Sequence, residues 1–184
     1  MQSPKIQVKY FTQEPVALEH FVPVFHRWIR DRVLDELVID VADYAHVHHG
    51  PGIVLVGHAV DYFMDQGEGR LGLLYSKKRD PGAPEERVLD GFKKALNACR
   101  LLETGPDLGV KFRTDEVLVR LPDRLTAPNA DEGFAALKSA LEPVVTKLYG
   151  DSARIEKGGD KGAPLSARIQ AQSPASISDL LGRL

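Results

Sequence analysis

The chain has 184 residues, of which 43% are apolar and 27% charged, with 16 Gly and 12 Pro. This composition excludes a disordered chain, a collagen-like repeat and a disulfide-rich mini-protein. The length suits one domain of ordinary size. The 24 Lys and Arg residues are balanced by 26 Asp and Glu residues, which gives a net charge of −2. Proteins that neutralise many phosphates carry a basic excess, so nucleic acid is not an expected partner.

Signals of cellular location are few. Cys99 is the single cysteine, so no disulfide can form within the chain and a reducing compartment is expected. The N-terminal residues lack the basic and apolar regions of a secretory signal. No stretch approaches the roughly 20 apolar residues that a transmembrane helix needs. These features predict a soluble cytoplasmic protein with no membrane partner.

Hydrophobic periodicity and turn residues predict the elements in chain order. Strands are predicted at residues 5–12, 37–47, 53–63, 70–76 and 110–121, with shorter ones near 152–156 and 165–170. The first helix is predicted from Glu14 onward, and the others at 84–103, 130–149 and 176–184. Turns or breaks are predicted at 48–52, at 65–69, at Asp80-Pro81-Gly82 and at 157–164.

The order of these elements predicts the fold class. The sequence β-α-β-β-β-α-β-α-β-β-α is typical of an α+β fold with helices on one face of a mainly antiparallel sheet. No shift in composition marks a domain boundary, so residues 1–184 are expected to form a single domain. Residues 157–184 are expected to be rich in loops.

The three strands of the 37–76 meander allow a prediction of which face is core. If the turn lies at 48–52, Val47 pairs with Ile53, and cross-strand partners are both odd or both even in number. The odd-numbered residues are nearly all apolar and are expected to lie beneath the helices: Ile39, Val41, Ala45, Val47, Ile53, Leu55, Ala59, Phe63, Leu71, Leu73 and Tyr75. The even-numbered residues form a mixed face with these polar members: Asp40, Tyr44, His46, His58, Tyr62, Arg70 and Ser76.

The mixed face is the first candidate site. Aromatic and imidazole side chains of this kind are common at interfaces, which predicts a small-molecule or protein partner, or a homo-oligomer. The residues expected to contact a ligand are Tyr44, His46, His58, Tyr62 and Arg70. If the strand at 110–121 lies beside this face, an anionic ligand is favoured by a basic stripe of Lys111, Arg113 and Arg120, with Arg124 just beyond.

The HVHH motif at 46–49 is the one cluster of closely spaced histidines in the sequence. Neutral imidazole is a preferred ligand of zinc and other divalent metals. His46, His48 and His49 are therefore candidate metal ligands, which would need a further ligand from elsewhere. The alternative is a polar hairpin tip that tolerates histidines, with the Gly-Pro-Gly run at 50–52 setting the turn.

A second constellation surrounds His58. The predicted register places His58 opposite Ala42, with Asp40 and Tyr44 as diagonal neighbours. An imidazole oriented by an Asp can act as a general base, and a Tyr can donate a proton. The alternative is a histidine whose hydrogen bonds are satisfied within a half-buried sheet.

Two functional hypotheses follow. The first is a non-catalytic module that binds a small ligand or assembles with protein through the mixed face of the 37–76 meander. The second is a metal-dependent or acid–base enzyme centred on residues 46–49 and His58. The glycine pattern at 67–72 adds no third hypothesis, because it joins two strands, whereas phosphate-binding glycine loops lead into a helix.

Overall fold

The computed structural model of the chain describes residues 5–78, 82–106, 108–159 and 162–184. The strands are β1 (Ile6–Thr12), β2 (Val38–Tyr44), β3 (Gly52–Gly57), β4 (Val60–Asp65), β5 (Gly72–Lys77), β6 (Phe112–Leu121), β7 (Arg154–Gly158) and β8 (Leu165–Gln170). The helices are α1 (Phe21–Asp31), α2 (Pro84–Thr104), α3 (Asp131–Tyr149) and α4 (Ile177–Arg183). Two predicted features, Asp80-Pro81 of the break and Asp160-Lys161 of the 157–164 loop, lie outside the described residues.

The strands form one open antiparallel sheet. In the described residues its order is β2-β3-β4-β5-β1-β6-β8-β7, so β2 and β7 are the edges. The helices cover one face: α1 contacts β2 and β3, α2 contacts β1 and β5, α3 contacts β8, and α4 packs on α2. The predicted α+β class is confirmed. We call the opposite side of the sheet the open face.

The helix-covered face builds the hydrophobic core. Alternation along β1 directs Ile6, Val8 and Tyr10 into it, as expected for a strand with a period of two. The helix α2 lies so close to β1 that a Cβ added at Gly91 would stand 3.1 Å from Cγ2 of Val8. Burial of each such apolar side chain stabilises the fold by about 1.5–3 kcal/mol.

The first helix begins later than its sequence pattern predicts. A single 3-10 turn at Leu18–His20 precedes α1, which starts at Phe21. Pro23 then lies within the first four residues of the helix, where a backbone N–H has no intrahelical partner to lose. Among the helices of the described segments, none has the length and apolar character needed to cross a membrane.

The segment predicted as one strand at 53–63 is two strands. The chain turns back at His58 and Ala59, and β3 pairs with β4. The carboxylate of Asp61 stabilises this turn by accepting a hydrogen bond from the N–H of Gly57 at 3.1 Å. The turn lacks the Asn-Gly or Asp-Gly pair that usually marks a tight hairpin, which is why the prediction was wrong.

The predicted register of the meander is also wrong. Ile53 lies opposite Asp43, not opposite Val47, and the turn between β2 and β3 occupies residues 45–51. The additional turn at 58–59 exchanges the two faces of β4, whereas the pairing of β4 with β5 restores the predicted faces of β5. Tyr62 therefore pairs with Leu55 and is buried in the core, although it was predicted on the mixed face.

The residues predicted to point inward divide between the two faces. Ile53, Leu55, Leu73 and Tyr75 do lie in the core. Phe63 lies on the open face in a row with Val54 and Leu74. Four others are exposed instead of buried: Ile39, Ala45, Val47 and Ala59.

Candidate functional site

The structure does not assemble the predicted acid–base group. His58 is not opposite Ala42; it lies at the β3–β4 turn, where its N–H donates to the carbonyl of Leu37 at 2.9 Å. Tyr44 lies at the other end of β2. At about 3.3 Å per residue, the length of β2 puts roughly 20 Å between them. The predicted proximity of Tyr44 to an opposing His58 is therefore wrong. Asp40 lies opposite Val56, two residues from His58, so an interaction between Asp40 and His58 stays a prediction.

The three candidate metal ligands lie on the exposed turn at 45–51. The ring centroids of His48 and His49 are 3.9 Å apart, and the ring of His46 lies 6.5 Å from that of Tyr44. Across the described residues, no three His, Cys, Asp or Glu side chains converge in a way that could hold a metal ion. Metal binding by these histidines stays a prediction, and the described residues supply no third ligand for it.

Arg70, predicted to contact a ligand, belongs to a cluster of salt bridges on the open face. Its two terminal nitrogens donate to the carboxylate of Glu116 at 2.7 and 2.9 Å. Its guanidinium carbon lies 3.9 Å from the centroid of the Phe11 ring. Arg168 donates to the same carboxylate and also to Glu68. These contacts hold the loop between β4 and β5 against the sheet.

Lys9 is the fully buried charge of this cluster. Its Nζ donates to the carboxylate of Asp65 at 2.6 Å and to the carbonyl oxygens of Gly67 and Arg70 at 3.1 and 2.7 Å. Burial lowers the pKa of Lys9, and the Asp65 carboxylate opposes that shift. Because all three N–H donors are used, Lys9 anchors the loop. The alternation of β1 indicates that Lys9 faces away from the helices, but no sequence signal indicated that a loop covers it.

The predicted basic stripe is neutralised by acidic partners and carbonyls. Arg113 pairs with Asp115 at 2.9 Å, and Arg120 lies within 3.9 Å of Glu68. The other two members also have partners, since Lys111 contacts Glu103 and Arg124 donates to the carbonyl of Gly162. Each member of the stripe therefore has a partner within the fold, and anion binding by the stripe stays a prediction.

Glu116 is expected to make stability depend on pH. Hydrogen bonds from Arg70 and then Arg168 hold the pKa of Glu116 below its usual 4.5. A lowered carboxyl pKa contributes stability that is complete above the unfolded-state pKa and is lost as pH falls through the folded-state pKa. We therefore expect Glu116→Gln to be less stable than the wild type at neutral pH, and to lose less further stability on acidification.

Urea unfolding between about pH 6 and pH 3 measures this difference. Glu142→Gln, at a salt-bridged but half-exposed position on α3, is the control and should follow the wild-type pH profile. Equal acid slopes for Glu116→Gln and the wild type would show that the Glu116 cluster does not stabilise the fold.

The exposed apolar side chains are concentrated on one edge of the sheet. Six large apolar residues are exposed in the part of the chain that the structure describes. Five of them lie on the loop before β2, on β2 itself or on the turn after it: Val33, Leu37, Ile39, Tyr44 and Val47. We call these five residues the β2 edge surface. The sixth is Leu125, in the connection between β6 and α3.

Two features of β2 oppose the addition of another strand at this edge. A bulge at Ile39 interrupts the pairing with β3. The carboxylate of Asp40 accepts a hydrogen bond from the N–H of Val41, and that of Asp43 accepts one from the N–H of Ala45, each at 2.8 Å. Bulges and charges are the devices by which edge strands avoid open-ended pairing. The β2 edge surface is therefore suited to side-chain contacts.

Sequence reasoning found only part of this surface. It named Tyr44 as a contact residue, whereas it placed Ile39 and Val47 in the core. The signal it lacked was the position of β2 at the edge of the sheet, because an apolar residue on an edge strand has the same local pattern as one on a buried strand.

Comparisons with known proteins add no assignment. No protein-family model matches the chain, and no curated protein matches it significantly.

Proposed function

We propose that the protein is a non-catalytic assembly module that forms a homodimer through the β2 edge surface. The observation that carries the proposal is the concentration of five of the six exposed large apolar side chains on this edge. Single exposed apolar residues are normal on monomers, but a contiguous apolar patch marks an interaction surface. Leu37 is 68% exposed and Ile39 is 58% exposed, so both have most of their area to bury.

The order of the apolar residues along the edge fits a second copy of the chain as the partner. Leu37 and Ile39 lie before the midpoint of the edge, and Tyr44 and Val47 lie after it. A two-fold axis near Val41 would place the first pair of one copy against the second pair of the other. This self-complementarity is what a closed two-fold interface requires.

The charges near that axis predict how salt acts on the dimer. Asp40 and Asp43 lie close to Val41 in both copies, so association brings like charges together. Salt screens repulsion between exposed charges and leaves the apolar contact intact. The dimer is therefore expected to be tighter at high ionic strength, opposite to the behaviour of an interface held by ion pairs.

Ile39→Lys is expected to weaken the dimer by about tenfold or more, because it replaces an apolar contact with a charge that must be desolvated. Sedimentation velocity over a micromolar concentration range measures the change. Leu125→Lys is the matched control, since it makes the same kind of change at a residue that is 97% exposed and lies outside the β2 edge surface.

The control variant should dimerise like the wild type. A wild-type protein that stays monomeric at about 100 μM would contradict the proposal, since even a weak micromolar dimer is largely formed at that concentration. Equal weakening by Ile39→Lys and Leu125→Lys would show that the β2 edge surface is not the interface.

A further inference from the structure

A cleft of about 430 Å³ lies where three loops meet. Its walls come from residues 12–16 at the end of β1 and just after it, from His48 and His49 in the 45–51 turn, and from the connection between β4 and β5. The volume lies within the range of roughly 300–1,000 Å³ that is typical of small-molecule sites. The cleft is separate from the five residues of the β2 edge surface.

The imidazole rings of His48 and His49 line this cleft, and the local backbone conformation positions them. The rings of His48 and His49 lie 3.9 Å apart. His49 has a left-handed φ of 53°, which is uncommon for a residue with a side chain. A Cβ added at Gly69 would stand 3.2 Å from Cε1 of His49. The bare backbone of Gly69 therefore leaves the space that the His49 ring needs.

The cleft has hydrogen-bonding capacity that the fold does not use. The side chains of Glu14, His48, His49 and Gln66 make no hydrogen bond to any residue in the described ranges. Arg70 donates two of its five N–H groups to Glu116, and its side chain is 36% exposed. Among the residues that line the cleft, imidazole, amide and guanidinium groups can donate hydrogen bonds, and Glu14 supplies the single carboxylate.

We infer that this cleft binds a small molecule carrying an oxyanion, either a carboxylate or a phosphate ester. Ionised carboxylate and phosphate oxygens accept hydrogen bonds, so they complement the N–H donors of the cleft, and such charge-assisted bonds are the strong ones. Pro15, Val16 and Leu71 line the same cleft and provide apolar contact for the rest of the ligand. This mixture of apolar walls and a few polar groups is typical of ligand sites.

The test is a titration of the full-length protein with inorganic phosphate and, separately, with acetate, each against sodium chloride of matched ionic strength. Histidine ring and backbone amide signals are followed by NMR. We expect the signals of His48, His49 and Gly69 to shift and to saturate with at least one of the two anions. Saturation by phosphate alone indicates a phosphate ester, and saturation by acetate alone indicates a carboxylate. The signal of His58, at the distant β3–β4 turn, should not move.

Two variants and one matched control test whether the anion binds in this cleft. His49→Ala and Gln66→Ala should each weaken anion binding by about tenfold, the loss expected for one hydrogen bond to a charged group. His58→Ala removes an exposed imidazole from a different turn and should leave the affinity unchanged. The same titration in the Ile39→Lys variant should give the wild-type result, so failure of the dimer and failure of the cleft are distinguishable.

Three results would overturn the inference. One is the absence of a saturating shift with either anion, and another is a shift of equal size at His58. The third is a saturating response of His48 and His49 to zinc chloride with none to phosphate or acetate, which would assign the cleft to a metal.

Discussion

Gly52→Val is expected to lower the free energy of unfolding by about 3 kcal/mol or more. Gly52 begins β3 with a φ of 65°, in the left-handed region that residues with a side chain rarely adopt. A Cβ at this position would lie 1.9 Å from the carbonyl oxygen of Met64 on β4. That oxygen belongs to the backbone and cannot rotate away, so the variant combines local strain with a clash between two strands. Urea unfolding of the purified variant measures the loss.

His48→Ala is the matched control from the adjoining turn. Its side chain is exposed, so its removal should change the free energy of unfolding by no more than about 0.5 kcal/mol. A larger loss for His48→Ala than for Gly52→Val would mean that the turn at 45–51 is not a solvent-exposed turn. Its imidazoles would then be buried or bound to a metal, and the enzyme hypothesis would displace the assembly module.

Lys9→Met is expected to cost about 3–5 kcal/mol of stability, the usual penalty for breaking a buried ion pair by removing one partner. Methionine fills a similar volume, so the loss is electrostatic. It leaves the carboxylate of Asp65, which is 7% exposed, without its ammonium partner. It also leaves the carbonyl oxygens of Gly67 and Arg70 without their donor.

The double variant Lys9→Met with Asp65→Asn distinguishes the energy of the Lys9–Asp65 ion pair from the packing energy of the two side chains. A neutral amide costs less to bury without a partner than a carboxylate does, so the double variant should recover part of the stability that Lys9→Met loses. Urea unfolding of the wild type, both single variants and the double variant gives the coupling energy. Strict additivity of the two single losses would contradict a coupled ion pair.

The long helices could be predicted from sequence because their signals are local. The predicted helix at 84–103 is α2 to within one residue at its end, and the one at 130–149 is α3 to within one residue at its start. Pro84 marks the first turn of α2, and Gly105-Pro106 follows its last residue. Between these marks the apolar stripe has the helical period, so local and tertiary preferences agree.

The faces of β4 could not be predicted, because they depend on one turn that leaves no clear mark in the sequence. His58 and Ala59 make the turn between β3 and β4 without the residues that usually identify one. Missing that turn moved Tyr62 from the core to the mixed face and Phe63 from the open face to the core. Successive side chains of a strand point to opposite faces, so a one-residue error in register assigns every residue of that strand to the wrong face.

The polar clusters could not be predicted from the sequence for a different reason. Lys9 and Asp65 are 56 residues apart in the chain, and Arg70 and Glu116 are 46 apart. Their pairing depends on the strand order β5-β1-β6, which brings three distant segments together. The cleft lined by His48, His49 and Arg70 depends on the same topology, so sequence reasoning could name these residues but not their proximity.

Hydrogen–deuterium exchange at two protein concentrations is the most direct test of the homodimer formed through the β2 edge surface. Deuterium uptake across residues 33–47 is expected to fall when the protein is concentrated from about 1 μM to about 100 μM, a range over which a weak micromolar dimer forms. Uptake around Leu125 and across β7, the opposite edge of the sheet, should not change. Uptake at residues 33–47 that is independent of concentration, or protection confined to β7, would contradict it.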